Sequence, residues 1–470
     1  MNQYKRIYRL VFLLLFLDVY SCYAQTPDSG AASKLTRLQQ RFVDLRFGMF
    51  IHYNIPTYAN ADWPDPDADP ALFNPKKLDA NQWAKAAKAA NMSYGCLTTK
   101  HHSGFCIWDT KTTDYNVMKS PYEKDVVQQF VDAFRANGLK VMLYYSILDT
   151  HHGLRPNQIT TAHVAMVKQQ ITELLTKYGK IEALIIDDWD APWSRISYDQ
   201  IPFEDIYLLV KKLQPECLLM DLNSAKYPGA GLYYTDIKTY EMGAGQRLAA
   251  HEKRMPALAC LPINTSWFWK TDFPAVPVRD PKKTVEELIQ PLNDASCNFI
   301  LNVAPNRDGL IDDNAVAALT EIGKLWHNTG PTAPLPVTDL PVISSNLAKG
   351  KISNSSWSDD MDIMDFANDD DFKTSWVSNA SVKQSWYQIS FPSETAINMV
   401  VIAEAKPNIE SYTLEYWNGV AWIQLFDGVN KHAIKIHRFE RVWAGKVRIH
   451  ISSSEKAASI SEFQLFNERR

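Results

Sequence analysis

Apolar runs that each end in polar residues, interleaved with helical stretches, constrain this 470-residue chain more than any other feature. Gly48-Met49-Phe50-Ile51 ends in His52, and Tyr94-Gly95-Cys96-Leu97 leads to Lys100, His101 and His102. Lys140-Val141-Met142-Leu143 ends in Tyr144 and Tyr145, and Ala183-Leu184-Ile185-Ile186 ends in Asp187 and Asp188. Runs at 217–223 and 297–303 follow the same plan, and weaker ones at 236–241 and 258–264 bring the count close to eight. Continuous apolar runs, rather than strict alternation, mark strands buried on both faces. Amphipathic patterns over 80–90, 126–137, 160–178, 203–214, 285–293 and 315–325 supply the helices. Strand, helix, strand at this spacing argues for right-handed βαβ units and a parallel sheet. The expected fold is α/β, a (β/α)8 TIM-like barrel of about 300 residues with its site at the carboxyl ends of the strands. His52, His101, His102, Tyr145, Asp187 and Glu241 all stand at such ends.

A second domain follows. Pro331-Thr332-Ala333-Pro334-Leu335-Pro336-Val337, with Pro341 beyond, cannot continue a helix and reads as a linker. From about 345 the pattern changes to short strands with turns between them, at 386–391, 399–405, 412–416, 422–426 and 446–451, which predicts an all-β jelly-roll or discoidin-like sandwich. The expected division is a barrel over 30–335 and a sandwich over 345–470. At the amino terminus Lys5, Arg6 and Arg9 precede the apolar stretch 10–17, which is too short to span a bilayer and suits a signal peptide, 1–24. The chain is therefore expected to be secreted, into the periplasm, with no membrane span; lipid attachment at Cys22 is the alternative. Cys96, Cys106, Cys217, Cys260 and Cys297 lie in or beside strands, without Cys-x-x-Cys spacing, and read as buried thiols. A net charge of −4 with no basic run gives no footprint for nucleic acid.

Paired histidines at a buried strand end are expensive to place without hydrogen-bond partners, each unsatisfied ring costing roughly 1–3 kcal/mol. In a protein with polar strand ends, the 14 Trp and 21 Tyr suit stacking on the apolar faces of sugar rings. A metal site is the competing reading, since His and Asp are zinc and iron ligands. Adjacent histidines are expected to point apart, which argues against both binding one ion, and no cofactor is expected for catalysis.

Residues of roughly 38–330 resemble the catalytic barrel of glycoside hydrolase family 29, the retaining α-L-fucosidases. FGMFIHYN, FNPKKLDANQWAKAAKAANMSYGCLTTKHHSGFCIWDTKTTDYNV, KVMLYYSILD, IIDDW and CNFILNVAPNRDGLI carry the likeness. Where the family more often has Trp-Phe-Asp-Gly, this chain has Ile185-Ile186-Asp187-Asp188. Residues of roughly 345–470 resemble the coagulation-factor 5/8 type C, or discoidin-like, domain, through Asn346-Leu347-Ala348, the stretch from Ala367 to Trp376, and Ile460-Ser461-Glu462-Phe463. The resemblance implies an exo-acting enzyme that releases terminal L-fucose from fucosylated oligosaccharides or glycoconjugates. Retaining hydrolysis needs two carboxyl groups about 5–5.5 Å apart. Asp187 is in register with the family's nucleophile, and alternation should send Asp188 to the opposite side. Glu241 is the candidate acid/base, with Tyr240 and Met242 as apolar neighbours, and Glu252 is its rival. The substrate-binding set implied is His52, Asp62, Trp63, His101, His102, Tyr145 and Trp267. The Asp-Trp-Pro loop at Asp62–Asp69 and the acid/base position resemble the branch of the family that prefers α-1,3/1,4-linked fucose. In the sandwich, Asp369, Asp371, Thr374 and Glu462 are the expected ligands of a structural Ca2+, an all-oxygen set of the kind hard cations select. A non-catalytic fucosylated-glycan-binding protein is the alternative function.

Overall fold

A computed structural model describes residues 34–224, 232–248, 255–335, 342–429, 432–454 and 456–469. The leader at 1–24, Cys22, Glu252 and part of the predicted linker lie outside the described residues. Eight strands form one sheet: β1 (Phe47–Ile51), β2 (Tyr94–Lys100), β3 (Lys140–Ser146), β4 (Ala183–Asp187), β5 (Leu218–Asp221), β6 (Lys238–Glu241), β7 (Ala257–Pro262) and β8 (Cys297–Asn302). Their order is β5-β4-β3-β2-β1-β8-β7-β6, and every ladder is parallel. The sheet is thus a nearly closed barrel. At the β5–β6 seam, Leu219 N–H donates to Asp236 Oδ2 at 2.9 Å and Asp221 N–H to Thr235 Oγ1 at 3.2 Å, so side chains, with one backbone bond from Asp236 N–H to the Leu219 carbonyl at 2.8 Å, stand in for a ladder.

Side chains alternate along each strand into two clusters. Phe50, Cys96, Met142, Tyr144, Ala183, Ile185, Met220, Cys260 and Ile300 fill the barrel interior. Met49, Leu97, Leu143, Tyr145, Leu184, Ile186, Leu219 and Leu301 belong to the outer layer, beneath the helices. Helices Ala80–Ala89, Val126–Ala136, Thr161–Lys177, Phe203–Leu213 and Asp313–Leu325 match the predicted patterns. Asp79, Asp125 and Thr160 cap the first three by accepting from free amides of the first turn. The helix expected over 285–293 widens into a π-helix at Thr284–Ile289 before Gln290–Asp294; Pro291, inside it, has no N–H to continue the regular ladder.

The carboxyl-terminal region is antiparallel, built on strands Ser385–Ala403 and Ile434–Ser454, with Ile352–Ser355, Ile409–Trp417 and Trp422–Val429 around them. The strand Glu462–Phe466 pairs with Ser385–Ala403, while Glu468–Arg469 returns beside Val342–Ile343. The five cysteines are free and buried, as expected. Among the described residues no helix is long and apolar enough to cross a membrane.

Candidate active site

A cavity of about 230 Å³ opens at the carboxyl ends of the barrel strands, below the size of drug-sized pockets and on the scale of one small ring. His52, Asp62, Trp63, His101, His102, Asp187, Glu241 and Trp267 all line it, brought together from five strand ends and their loops. Tyr145 does not. Alternation turns it to the outer layer, where its hydroxyl donates to Gln170 Oε1 at 2.6 Å and Lys100 sits over its ring. Tyr144 is the inward residue of β3 and donates to Asp187 Oδ2 at 2.6 Å.

Asp187 ends β4 on the interior row of Ala183 and Ile185. Besides Tyr144 it accepts from Asn223 Nδ2 at 3.0 Å and from the Asp188 amide at 2.7 Å. Burial, then the neighbouring Asp188 charge, raises its pKa to about 6, so it is ionised at neutral pH. Glu241 ends β6 with Oε2 buried and unpartnered. Burial, followed by the Asp187 charge, lifts its pKa to about 8, so it is protonated at neutral pH. Tyr240, its apolar neighbour in sequence, faces the outer layer, away from the cavity. Two carboxyls of opposite protonation therefore face one cavity.

The histidines divide by partner. His52 Nδ1 meets Asn302 Oδ1 at 2.7 Å, and burial lowers its pKa to about 3; Nδ1 thus carries the proton and Nε2 accepts. The Asn302 amide also donates to the Trp267 carbonyl at 2.7 Å, so one residue of β8 sets both groups. Burial holds His101 neutral, with Nδ1 unpartnered. The His101 and His102 ring centroids lie 3.8 Å apart, contrary to the expectation that they diverge, because the chain turns out of β2 directly after Lys100. His102 Nδ1 meets Asp188 Oδ2 and Ser146 Oγ, each at 3.1 Å; burial opposes its charge, but the Asp188 carboxylate together with Asp187 and Glu241 outweighs burial and raises its pKa. Trp63 stacks on His102 at 4.5 Å, and Asp62 accepts from Ser266 Oγ and from Lys270 Nζ at 2.7 Å. His102, Asp187 and Asp188 offer ligand atoms within 4.8 Å of one another. Tyr144, Asn223, Ser146 and Trp193 already donate to those carboxylates, so hydrogen bonds satisfy them.

Sequence reasoning missed Tyr144, Asn223, Trp193 and Phe268. Tyr144 shares a face of β3 with Met142, but the sequence does not mark that face as the inward one; Trp193 and Asn223 come from loops and carry no periodic signal. In the outer layer, beside Tyr145, Lys100 and Asp149 form a fully buried pair at 3.1 Å.

In the second domain, Asp369 Oδ2 accepts from Thr374 Oγ1 at 2.8 Å and its Oδ1 from the Asp371 amide at 2.8 Å. Glu462 is buried beside this turn with neither carboxylate oxygen hydrogen-bonded, and burial, then Asp369, raises its pKa to about 7. An orphaned buried carboxylate next to oxygen donors fits a hard cation. Trp357 is exposed and Trp417 packs edge-on against Trp422.

The family model described as Alpha-L-fucosidase matches residues 57–331, and that of the F5/8 type C domain matches 350–463. Alpha-L-fucosidase 1 of Arabidopsis thaliana is 29% identical over 329 residues, 66% of this chain and 60% of that protein. The tissue alpha-L-fucosidase of Homo sapiens is 26% identical over 370 residues, 67% of this chain and 74% of that one. The chain thus spans about 60% of the length of the first of these curated relatives. Among solved structures, alpha-L-fucosidase isoenzyme 1 from Paenibacillus thiaminolyticus aligns with a TM-score of 0.52 at 22% identity, covering 90% of this chain and 100% of that one. A Ruminococcus gnavus GH29 fucosidase in complex with fucose aligns with a TM-score of 0.51 at 20% identity, covering 92% and 95%. These two likenesses are of fold. With more than half of its length matched by the family model, the chain belongs to the alpha-L-fucosidase family.

Proposed function

We propose that this protein is a retaining exo-α-L-fucosidase that releases terminal L-fucose from glycans, with α-1,3/1,4 linkages favoured. The observation that carries the reading is the pair Asp187 and Glu241, facing one cavity with opposite protonation at neutral pH. Asp187 attacks the anomeric carbon while Glu241 gives its proton to the departing glycosidic oxygen, which leaves as the glycan hydroxyl. A water then attacks the glycosyl-enzyme, Glu241 takes its proton, and Asp187 is released as carboxylate. The tie from Tyr144 and Asn223 orients the nucleophile, and the neutral imidazoles of His52 and His101 accept from ring hydroxyls.

Trp267 lies against His52 with centroids 5.1 Å apart, giving an apolar wall for the 6-methyl group of fucose. The small cavity suits a single terminal sugar, which supports exo action. Export is inferred from the basic and apolar leader. In the second domain, Asp369, Asp371, Thr374 and Glu462 would hold a structural Ca2+, which would neutralise the buried carboxylate. Proton NMR during the first turnovers on an aryl fucoside tests the mechanism: α-L-fucose should form first, and initial β anomer would overturn retention. Binding of fucosylated glycans without any release of fucose would favour a non-catalytic binder instead.

A further inference from the structure

Asp188 is a fully buried non-glycine residue in the left-handed region, with φ 82°. Strand alternation would turn it outward; this backbone bend, just past β4, re-aims it toward the loop after β2. A glycine would adopt the same bend without strain, so the side chain must supply what the backbone gives up. Its carboxylate accepts from Ser146 Oγ at 2.5 Å and from Trp193 Nε1 at 2.9 Å, and meets His102 Nδ1 at 3.1 Å, where the Ser146 hydroxyl it holds also meets Nδ1 at 3.1 Å. Ser194 donates to its carbonyl, and its own amide donates to Asp187 Oδ1 at 2.7 Å.

We propose that Asp188 is a positioning residue of this site, whose carboxylate holds the His102 ring and the Trp193 indole in place as one wall of the sugar cavity. The proposal rests on the fucosidase reading for what the cavity takes. Trp193 is 41% exposed and Trp63 53%, and both line the cavity. Asp188 grips the first through its indole N–H and the second through His102, on which Trp63 stacks. Two exposed aromatic faces at the mouth are thus tied to one buried carboxylate. With Nδ1 engaged, His102 presents Nε2 to the cavity, and a protonated ring donates from it to a sugar hydroxyl. The other titratable groups facing His102 are the Asp187 and Glu241 carboxyls and the His52 and His101 rings.

The test uses the full chain with Asp188→Asn and Asp188→Gly. Two readouts are needed: kcat/KM on an aryl α-L-fucoside, and the titration of His102 followed by NMR of histidine-labelled protein. The expected result is a fall in kcat/KM of about tenfold or more in both variants, the loss expected for a charge-assisted hydrogen bond. In the same Asp188→Asn protein the His102 midpoint should drop below that of the wild type. Activity lost with an unmoved His102, or His102 moved with activity retained, would each overturn the proposal. If neither variant folds, the wild type decides: a His102 midpoint above the ordinary 6.5 supports it, and one below 6.5 refutes it. If the wild type releases no fucose, the hydrolase reading fails by itself. L-fucose affinity then replaces kcat/KM, with the same tenfold loss expected and an unchanged affinity refuting the proposal.

Discussion

Replacing Glu241 with Gln should stabilise the protein while slowing the proposed hydrolysis of glycans, and the stabilisation should grow with pH. The carboxyl is 8% exposed, Oε2 has no partner, and its pKa rises from 4.5 to about 8, through burial first and then the Asp187 charge. Below 4.5 both folded and unfolded chains hold the proton, and the native state has its full advantage. As pH rises the unfolded chain releases the proton first, so wild-type stability declines until the folded group ionises at about 8. The total loss is on the order of 5 kcal/mol. A glutamine carries no such slope. The variant should therefore exceed the wild type by about 1 kcal/mol near pH 5 and by about 4–5 kcal/mol near pH 9. Urea unfolding at both pH values measures the difference directly. A gap that does not widen with pH would refute the buried, proton-holding carboxyl. On natural glycans the same variant should lose about 10²–10⁴ in rate, and much less on aryl fucosides, whose leaving groups need little protonation.

Tyr144→Phe should lower kcat about ten- to a hundredfold by freeing one oxygen of Asp187, whereas Tyr145→Phe should leave turnover near wild type and cost about 1 kcal/mol of stability; equal kinetic effects would contradict the assigned faces of β3. Asp149→Asn leaves the Lys100 ammonium buried without its partner, and denaturant unfolding should show a loss of about 3–5 kcal/mol. Millimolar calcium should raise the melting temperature of chelator-treated protein, more strongly above about pH 7 where Glu462 is ionised, and Glu462→Gln should abolish the shift. A wild-type melting temperature indifferent to calcium would remove the ion from the second domain.

Much of the barrel is legible in the sequence because its signal is local. Each apolar run announces a strand, each polar residue at its end marks the rim, and helical periodicity fills the intervals. Those signals by themselves bring His52, His101, His102, Asp187 and Glu241 to one rim. The bend at Asp188, the donors Asn223 and Trp193, and the approach of the two histidine rings come from loops, where side-chain direction follows no period. Helix 285–293 is visible as an apolar stripe, while its π-turn at Thr284–Ile289 leaves no mark in that stripe.

The strand β3 shows where tertiary structure takes over. In Met142-Leu143-Tyr144-Tyr145 both faces are apolar, because one packs into the barrel interior and the other against helices. The sequence requires Tyr144 and Tyr145 to point in opposite directions, but it does not state which one points inward. That parity is decided when all eight strands close around one interior, because closure assigns one face of every strand to the inside. Hence the chemistry of the site can be read one residue at a time, while the choice between Tyr144 and Tyr145 as the partner of Asp187 belongs to the barrel as a whole.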